Sequence, residues 1–210
     1  MRIVVTRPRG QERELVARLE ALGHEVAVCP LVAVEPLGDD PVDVGGFDWV
    51  VVTSANGARE LRRRMTGRPA RVAAIGAATA SAFGGADLVP RIATQEGLLD
   101  ELPRPAGRVL FAGAEGARRL LVDELGAEFV PLYRTVELEP DEAPSGDLVV
   151  LASPSAARAF ARTGAAAPVV SIGPETTAAA LAAGLAVAGE AATHDLDGLV
   201  AAVATAAGAR

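Results

Sequence analysis

A chain of 210 residues, half of them hydrophobic, is long enough for one large or two small globular domains with substantial cores. Its net charge of −7 and pI near 4.9 exclude the basic stripe that nucleic acid requires, and because all 20 basic residues are arginine, Schiff-base chemistry and a phosphate-loop lysine are excluded as well. Cys29 is the single cysteine, so neither an internal disulfide nor a cysteine cluster for zinc is expected.

Residues 3–6 open the chain as a strand, followed by the loop TRPRG and a helix over about 11–22 that Gly23 stops. The apolar stretch in MRIVVTRPRG is too short for a signal peptide, and no run approaches the roughly 18 apolar residues of a membrane span, so a cytoplasmic protein is expected. A strand at 26–28 leads into PLVAVEP, an extended segment bounded by prolines, and then into the turn-rich LGDDPVDVGG. Strands follow at 49–52, 72–75 and 88–89, each with a polar or Gly-rich turn and a helical pattern behind it.

After PRPAG the chain repeats itself. A strand at 109–111, a helix around 115–125, Gly126 and a strand at 129–132 answer the opening segment, and YRTVELEP answers PLVAVEP. Further strands at 148–151, 169–172 and 185–187 and a last helix from about 196 complete the second copy. The echo is clearest where DWVVVTSANGARELRR recurs 99 positions later as DLVVLASPSAARAFAR, matching Asp48 to Asp147, Ser54 to Ser153, Ala58 to Ala157 and Arg59 to Arg158. AIGAAT at 74–79 falls on SIGPET at 171–176, and Gly97-Leu98 on Gly198-Leu199. Offsets drift because loop length changes cheaply during divergence.

Strands alternating with helices predict an α/β fold with parallel sheets. The two helix-free segments alternate apolar and polar residues at matched places and can pair as a connector. If the chain crosses over at about 30–36 and back at about 133–140, one domain comprises 1–34 plus 138–210 and the other 37–134, each with a five-stranded parallel sheet and flanking helices.

Open parallel sheets bind ligands at the carboxyl ends of their strands. Six loops there are legible, at 6–10, 53–57, 76–80, 112–116, 153–157 and 173–177, and they are rich in Gly, Ser and Thr. Small residues, helix N-termini and hydroxyls together suit an anion, although Ser and Thr in these positions are also ordinary N-caps. No G-x-G-x-x-G follows a strand, and there is no Walker motif, nucleophile elbow or carboxylate cluster spaced for a metal. His24 beside a helix cap and His194 in a polar loop read as solvated surface residues.

VTRP at 5–8, VTSANGA at 52–58, AIGAATA at 74–80, LASPSAA at 151–157, SIGPETTAAAL at 171–181 and DLDGLV at 195–200 together resemble uroporphyrinogen-III synthases, in order and spacing, from residue 2 to about 203. The resemblance implies two flavodoxin-like domains joined by a two-stranded ladder, the first built from both ends of the chain. It implies a cofactor-free enzyme that closes the linear octacarboxylate hydroxymethylbilane into uroporphyrinogen III, inverting the last ring and releasing water; a monomer is expected. Carried over residue by residue, it assigns Tyr133 as proton donor to the departing hydroxyl, and Thr53, Ser54, Thr79, Ser153, Ser155, Gly173, Thr176 and Thr177 to substrate binding. Arg7 of the VTRP turn would pair a substrate carboxylate. Ala152 departs from the family, which often has threonine before this serine. Two other readings stay open: a regulatory module of the same fold that binds tetrapyrrole or another polyanion, and a sugar-phosphate or nucleotide enzyme on a doubly wound fold.

Overall fold

The computed structural model describes residues 1–208. In chain order its elements are β1 (Arg2–Val5), α1 (Arg13–Ala21), β2 (Glu25–Val28), β3 (Val32–Pro36), β4 (Val42–Asp43), β5 (Trp49–Val52), α2 (Ala55–Arg64), β6 (Met65–Thr66), β7 (Val72–Ala74), α3 (Ala77–Phe83) and α4 (Gln95–Glu101). Then follow β8 (Val109–Ala114), α5 (Leu120–Leu125), β9 (Glu128–Glu137), β10 (Leu148–Leu151), α6 (Pro154–Arg162), β11 (Val169–Ser171), α7 (Pro174–Ala182), β12 (Val187–Glu190) and α8 (Leu196–Gly208). None of these helices is long and apolar enough to cross a membrane among the described residues. Contacts divide the chain into two compact units, residues 1–33 with 136–210 and residues 34–135.

The first unit holds a five-stranded sheet in the order β12-β11-β10-β1-β2, with every pairing parallel. Ile3 pairs with Leu148 and Val4 with Val149, so the chain's opening strand lies beside one that arrives after residue 147. Side chains alternate across a strand, and both faces here are buried. Ile3, Val5, Leu148 and Val150 pack with Leu15, Leu19, Leu199 and Val203 of α1 and α8, while Val4, Val149 and Leu151 pack with Ala157, Phe160 and Ala180 of α6 and α7. That double burial explains why the strands read as unbroken apolar runs.

The second unit repeats the plan. Its sheet runs β3-β9-β8-β5-β7, in which β9, β8, β5 and β7 are mutually parallel. Val50, Val52, Leu110 and Ala112 face Ala58, Leu61 and Phe83; Trp49, Val51, Val109 and Phe111 face Leu98, Leu99 and Leu121. Counted outward from β9, the order second strand, first strand, then the first two strands of the other half (β9, β8, β5, β7) matches β2, β1, β10, β11 in the first unit, where β12 continues the sheet; only the first sheet joins halves distant in sequence.

Four departures from the sequence reading have physical causes. The strand expected at 88–89 contracts to one parallel bridge between Leu88 and Ala73, because Pro90 lacks the N–H that would extend the ladder. The helix expected around 115–125 begins only at Leu120, because the chain first makes a turn at 115–116 in which the Ala117 N–H donates to Ala114 O. The segments expected at 129–132 and 133–140 form one ten-residue strand, β9, that runs straight through Pro131. Leu37 N–H donates to Leu132 O and Leu138 N–H to Leu31 O, so β3 lies antiparallel along the later part of β9, and Pro131 falls beside the register shift of β9 against β8, where a residue without an N–H is tolerated. The unexpected β4 and β6 pair as a separate two-stranded sheet.

Candidate active site

In the second unit the carboxyl end of β5 and the middle of β9 bring together two side chains that lie 79 positions apart in sequence. The Tyr133 hydroxyl stands 2.8 Å from Ser54 Oγ. Ser54 is the N-cap of α2, its extended backbone placing Oγ to accept the Gly57 N–H at 3.0 Å. Tyr133 is positioned by the shift in register between Gly113 and Ala114, which sets Ala114 opposite it, and by its carbonyl, which accepts the Glu115 N–H at 2.8 Å. Only 7% of the residue is exposed. Burial pushes the phenol above its ordinary pKa and outweighs the Ser54 hydrogen bond, which pulls the other way. The proton therefore stays on Tyr133 at neutral pH.

Thr53, half-buried, precedes that cap, and a Cβ on Gly113 would stand 3.7 Å from its Oγ1. Thr79 sits in the first turn of α3, 5% exposed. These three hydroxyl residues thus lie at the carboxyl ends of β5 and β7, and Tyr133 reaches Ser54 from within β9.

The same edge of the first unit carries the matching set. Thr6, fully buried, spends its hydroxyl on Val150 O at 2.8 Å and ties the ends of β1 and β10 together; Arg7 follows it, half-buried. Ser153 caps α6 by accepting the Ala156 N–H at 3.2 Å, with Pro154 supplying the fixed φ of a first helical residue. Ser155 accepts from Arg158, whose guanidinium also bonds Glu137 at 3.0 Å. Gly173 caps α7 with extended backbone and no side-chain bond, and Thr176 is 2% exposed in the turn that follows.

Thr177 is not a lone hydroxyl. Its Oγ1 lies 2.6 Å from Ser171 Oγ and is hydrogen-bonded to the Glu190 carboxylate. Neither partner stood out in the sequence as a site residue, because their pairing depends on the register that sets Ser171 beside Glu190 on adjacent strands. His194, read as a solvated residue, is exposed, yet its ring packs on Gly173: a Cβ there would stand 2.7 Å from Cδ2 and 2.8 Å from Nε2. The loss of side chain at Gly173 was legible; the ring that requires it was not.

Ser54 accepts one backbone N–H and retains one proton, so it can donate to Tyr133, leaving the phenol's own proton for a third group. That polarised chain begins at a helix N-terminus, where partial positive charge favours a ligand that is negative or becoming so.

The single tyrosine makes this chemistry measurable. The ultraviolet phenolate band of the folded protein is expected to titrate above the roughly 10 of a free phenol, and unfolding is expected to return it there. A folded-state titration at or below the free value would contradict the burial argument. Because the folded pKa is raised, this group's contribution to stability is intact below the unfolded pKa and falls as pH rises from there through the folded one.

Comparisons with known proteins bear on the chain as a whole. The family model described as "Uroporphyrinogen-III synthase HemD" matches residues 13–201. A uroporphyrinogen-III synthase of Synechococcus elongatus is 26% identical over 172 residues, covering 71% of this chain and 65% of the relative. A putative uroporphyrinogen-III synthase of Methanocaldococcus jannaschii is 26% identical over 153 residues, covering 66% and 64%. The match thus spans just under two thirds of each relative's length. In fold, a crystal structure of a mutant uroporphyrinogen III synthase from the extremely thermophilic bacterium Thermus thermophilus is similar at a TM-score of 0.65 and 17% identity, with full coverage of both chains.

Proposed function

The chain belongs to the uroporphyrinogen-III synthase family, and from that premise we propose that it closes hydroxymethylbilane to uroporphyrinogen III, inverting the last pyrrole ring and releasing water. The observation that carries this reading is the Tyr133 and Ser54 pair: a buried phenol that keeps its proton, held at 2.8 Å by a helix-capping serine. The reaction starts with cleavage of the bond between the terminal methylene and its hydroxyl. The electron pair leaves with oxygen, and a proton from Tyr133 completes the water molecule. The methylene carbon left behind is electrophilic, and the substituted carbon of the last ring attacks it. The bond from that ring carbon to its original bridging methylene then breaks, and the methylene so freed is attacked by the unsubstituted α-carbon of the same ring, which turns the ring over. A ring proton lost later in the sequence restores the phenol, so no acid or base is consumed.

Spontaneous closure of this reactive substrate needs little help, so the protein's contribution is orientation: holding the folded geometry in which the substituted carbon is the one in reach. Carboxylates distributed along the substrate supply the handles. Helix-start loops rich in N–H groups and hydroxyls at Thr53, Thr79, Ser153, Ser155, Gly173, Thr176 and Thr177, with Arg7, suit those anions, and local fields of this kind act where a net charge of −7 repels.

Ser54→Ala removes the donor to Tyr133, and the expected loss is about 1 kcal/mol in kcat/KM, roughly fivefold, as for one neutral hydrogen bond. Thr177→Ala is expected to cost a similar amount, chiefly in KM. The reading is tested by the rate at which macrocycle appears from hydroxymethylbilane. Acceleration well above spontaneous closure supports it, and an unchanged rate at saturating protein overturns it.

A further inference from the structure

The first turn of α7 is held by the segment that ends β12 and leads to α8, through two separate contacts. Glu190 accepts from Thr177, and the His194 ring lies against Gly173. Counting protons gives the direction of the hydrogen bonds. An ionised carboxylate only accepts, so Thr177 donates its single proton to Glu190, and the fully buried Ser171 then donates to Thr177 Oγ1. In this arrangement Thr177 has no proton left for an anionic ligand.

We propose that Glu190 is an internal competitor of the substrate, its carboxylate occupying the Thr177 donor that a substrate carboxylate takes on binding. The inference rests on the reading of Thr177 as a substrate contact. Glu190 is exposed, so its carboxylate can swing into water at small cost, whereas Ser171 stays buried and keeps Thr177 Oγ1 fixed. His194 on Gly173 holds the helix start in place while the carboxylates exchange. One acceptor replaces another of the same kind, so the exchange itself yields little. A lone carboxylate gains almost nothing here. A ligand that anchors several carboxylates elsewhere at the same time outcompetes Glu190 through the effective concentration those anchors create. Glu190 is therefore a positioning residue that favours polycarboxylates over small acids.

Glu190→Gln keeps the size and a weak acceptor but removes the charge. Its KM for hydroxymethylbilane is expected to fall about three- to fivefold, the upper part of the range for releasing one exposed charged competitor, with a smaller change in kcat. In a Thr177→Ala background the same substitution is expected to shift KM by less than about twofold, because the contested donor is gone. A rise in KM for Glu190→Gln, or an equal fall with and without Thr177, overturns the proposal: the first makes Glu190 a support for the hydroxyl, the second a source of general repulsion. Rapid-mixing titration of hydroxymethylbilane binding reads the same shift without reference to the product, so a wild-type protein that makes no III isomer would count against the enzymatic reading and leave this one to be decided by the binding shift.

Discussion

Tyr133→Phe is expected to slow formation of the III isomer by roughly 10- to 1000-fold, the range for one positioned general acid, while substrate still binds. The substitution keeps the ring that packs with Leu132, Val52 and Phe83, so core volume is preserved and the deleted atom is the one 2.8 Å from Ser54. Ser54 retains the Gly57 N–H and still caps α2, which confines the change to the proton available to the leaving hydroxyl. Because uncatalysed closure continues, the product of the weakened enzyme is expected to shift toward the non-inverted I isomer. A Tyr133→Phe variant with unaltered rate and isomer ratio would make the residue a packing tyrosine.

Gly198→Ala is expected to destabilise the protein by about 3 kcal/mol, the upper end of the cost of overpacking. Gly198 stands in the first turn of α8, where Asp195 accepts its N–H at 2.8 Å, and a Cβ would come within 2.1 Å of the Thr193 carbonyl oxygen. Backbone cannot yield as a flexible side-chain tip can. Its counterpart Gly97, in the first turn of α4 with Thr94 accepting at 3.0 Å, meets the Ile92 carbonyl at the same 2.1 Å. Both copies thus use one device, a capped helix start pressed on the carbonyl five residues back, and that explains why a Gly-Leu pair survives at 97 and 198 where most of the repeat has drifted. Gly208→Ala, with nothing within 4 Å of the added atom, is the control and is expected to change stability by less than about 1 kcal/mol. Urea unfolding of the two variants checks both values; equal midpoints would refute the steric account.

The alternation of Ile3, Val4 and Val5 between two helical layers made the strands legible, because a doubly buried strand writes itself as an apolar run. The repeat and the two extended connectors carried the crossing of β1 to β10, a contact between residues some 145 apart that no local propensity could supply. Serines 54 and 153 were legible as caps because the signal is local: a hydroxyl before a helical pattern, bonding three residues on. What escaped the sequence were contacts made by register and loop closure. Tyr133 meets Ser54 through the ladder of β5, β8 and β9, and Glu190 reaches Thr177 because β11 and β12 end level. The short β4 and β6 pair also escaped, since two residues are too few to show a period.

The proposed activity is direction of ring closure to the inverted isomer, and its sharpest test is the isomer composition formed from hydroxymethylbilane with and without the protein. Uroporphyrinogen III as the predominant product in the presence of protein, against predominantly the I isomer in its absence, is the predicted result. A protein that binds hydroxymethylbilane yet leaves the isomer ratio at its uncatalysed value would contradict it.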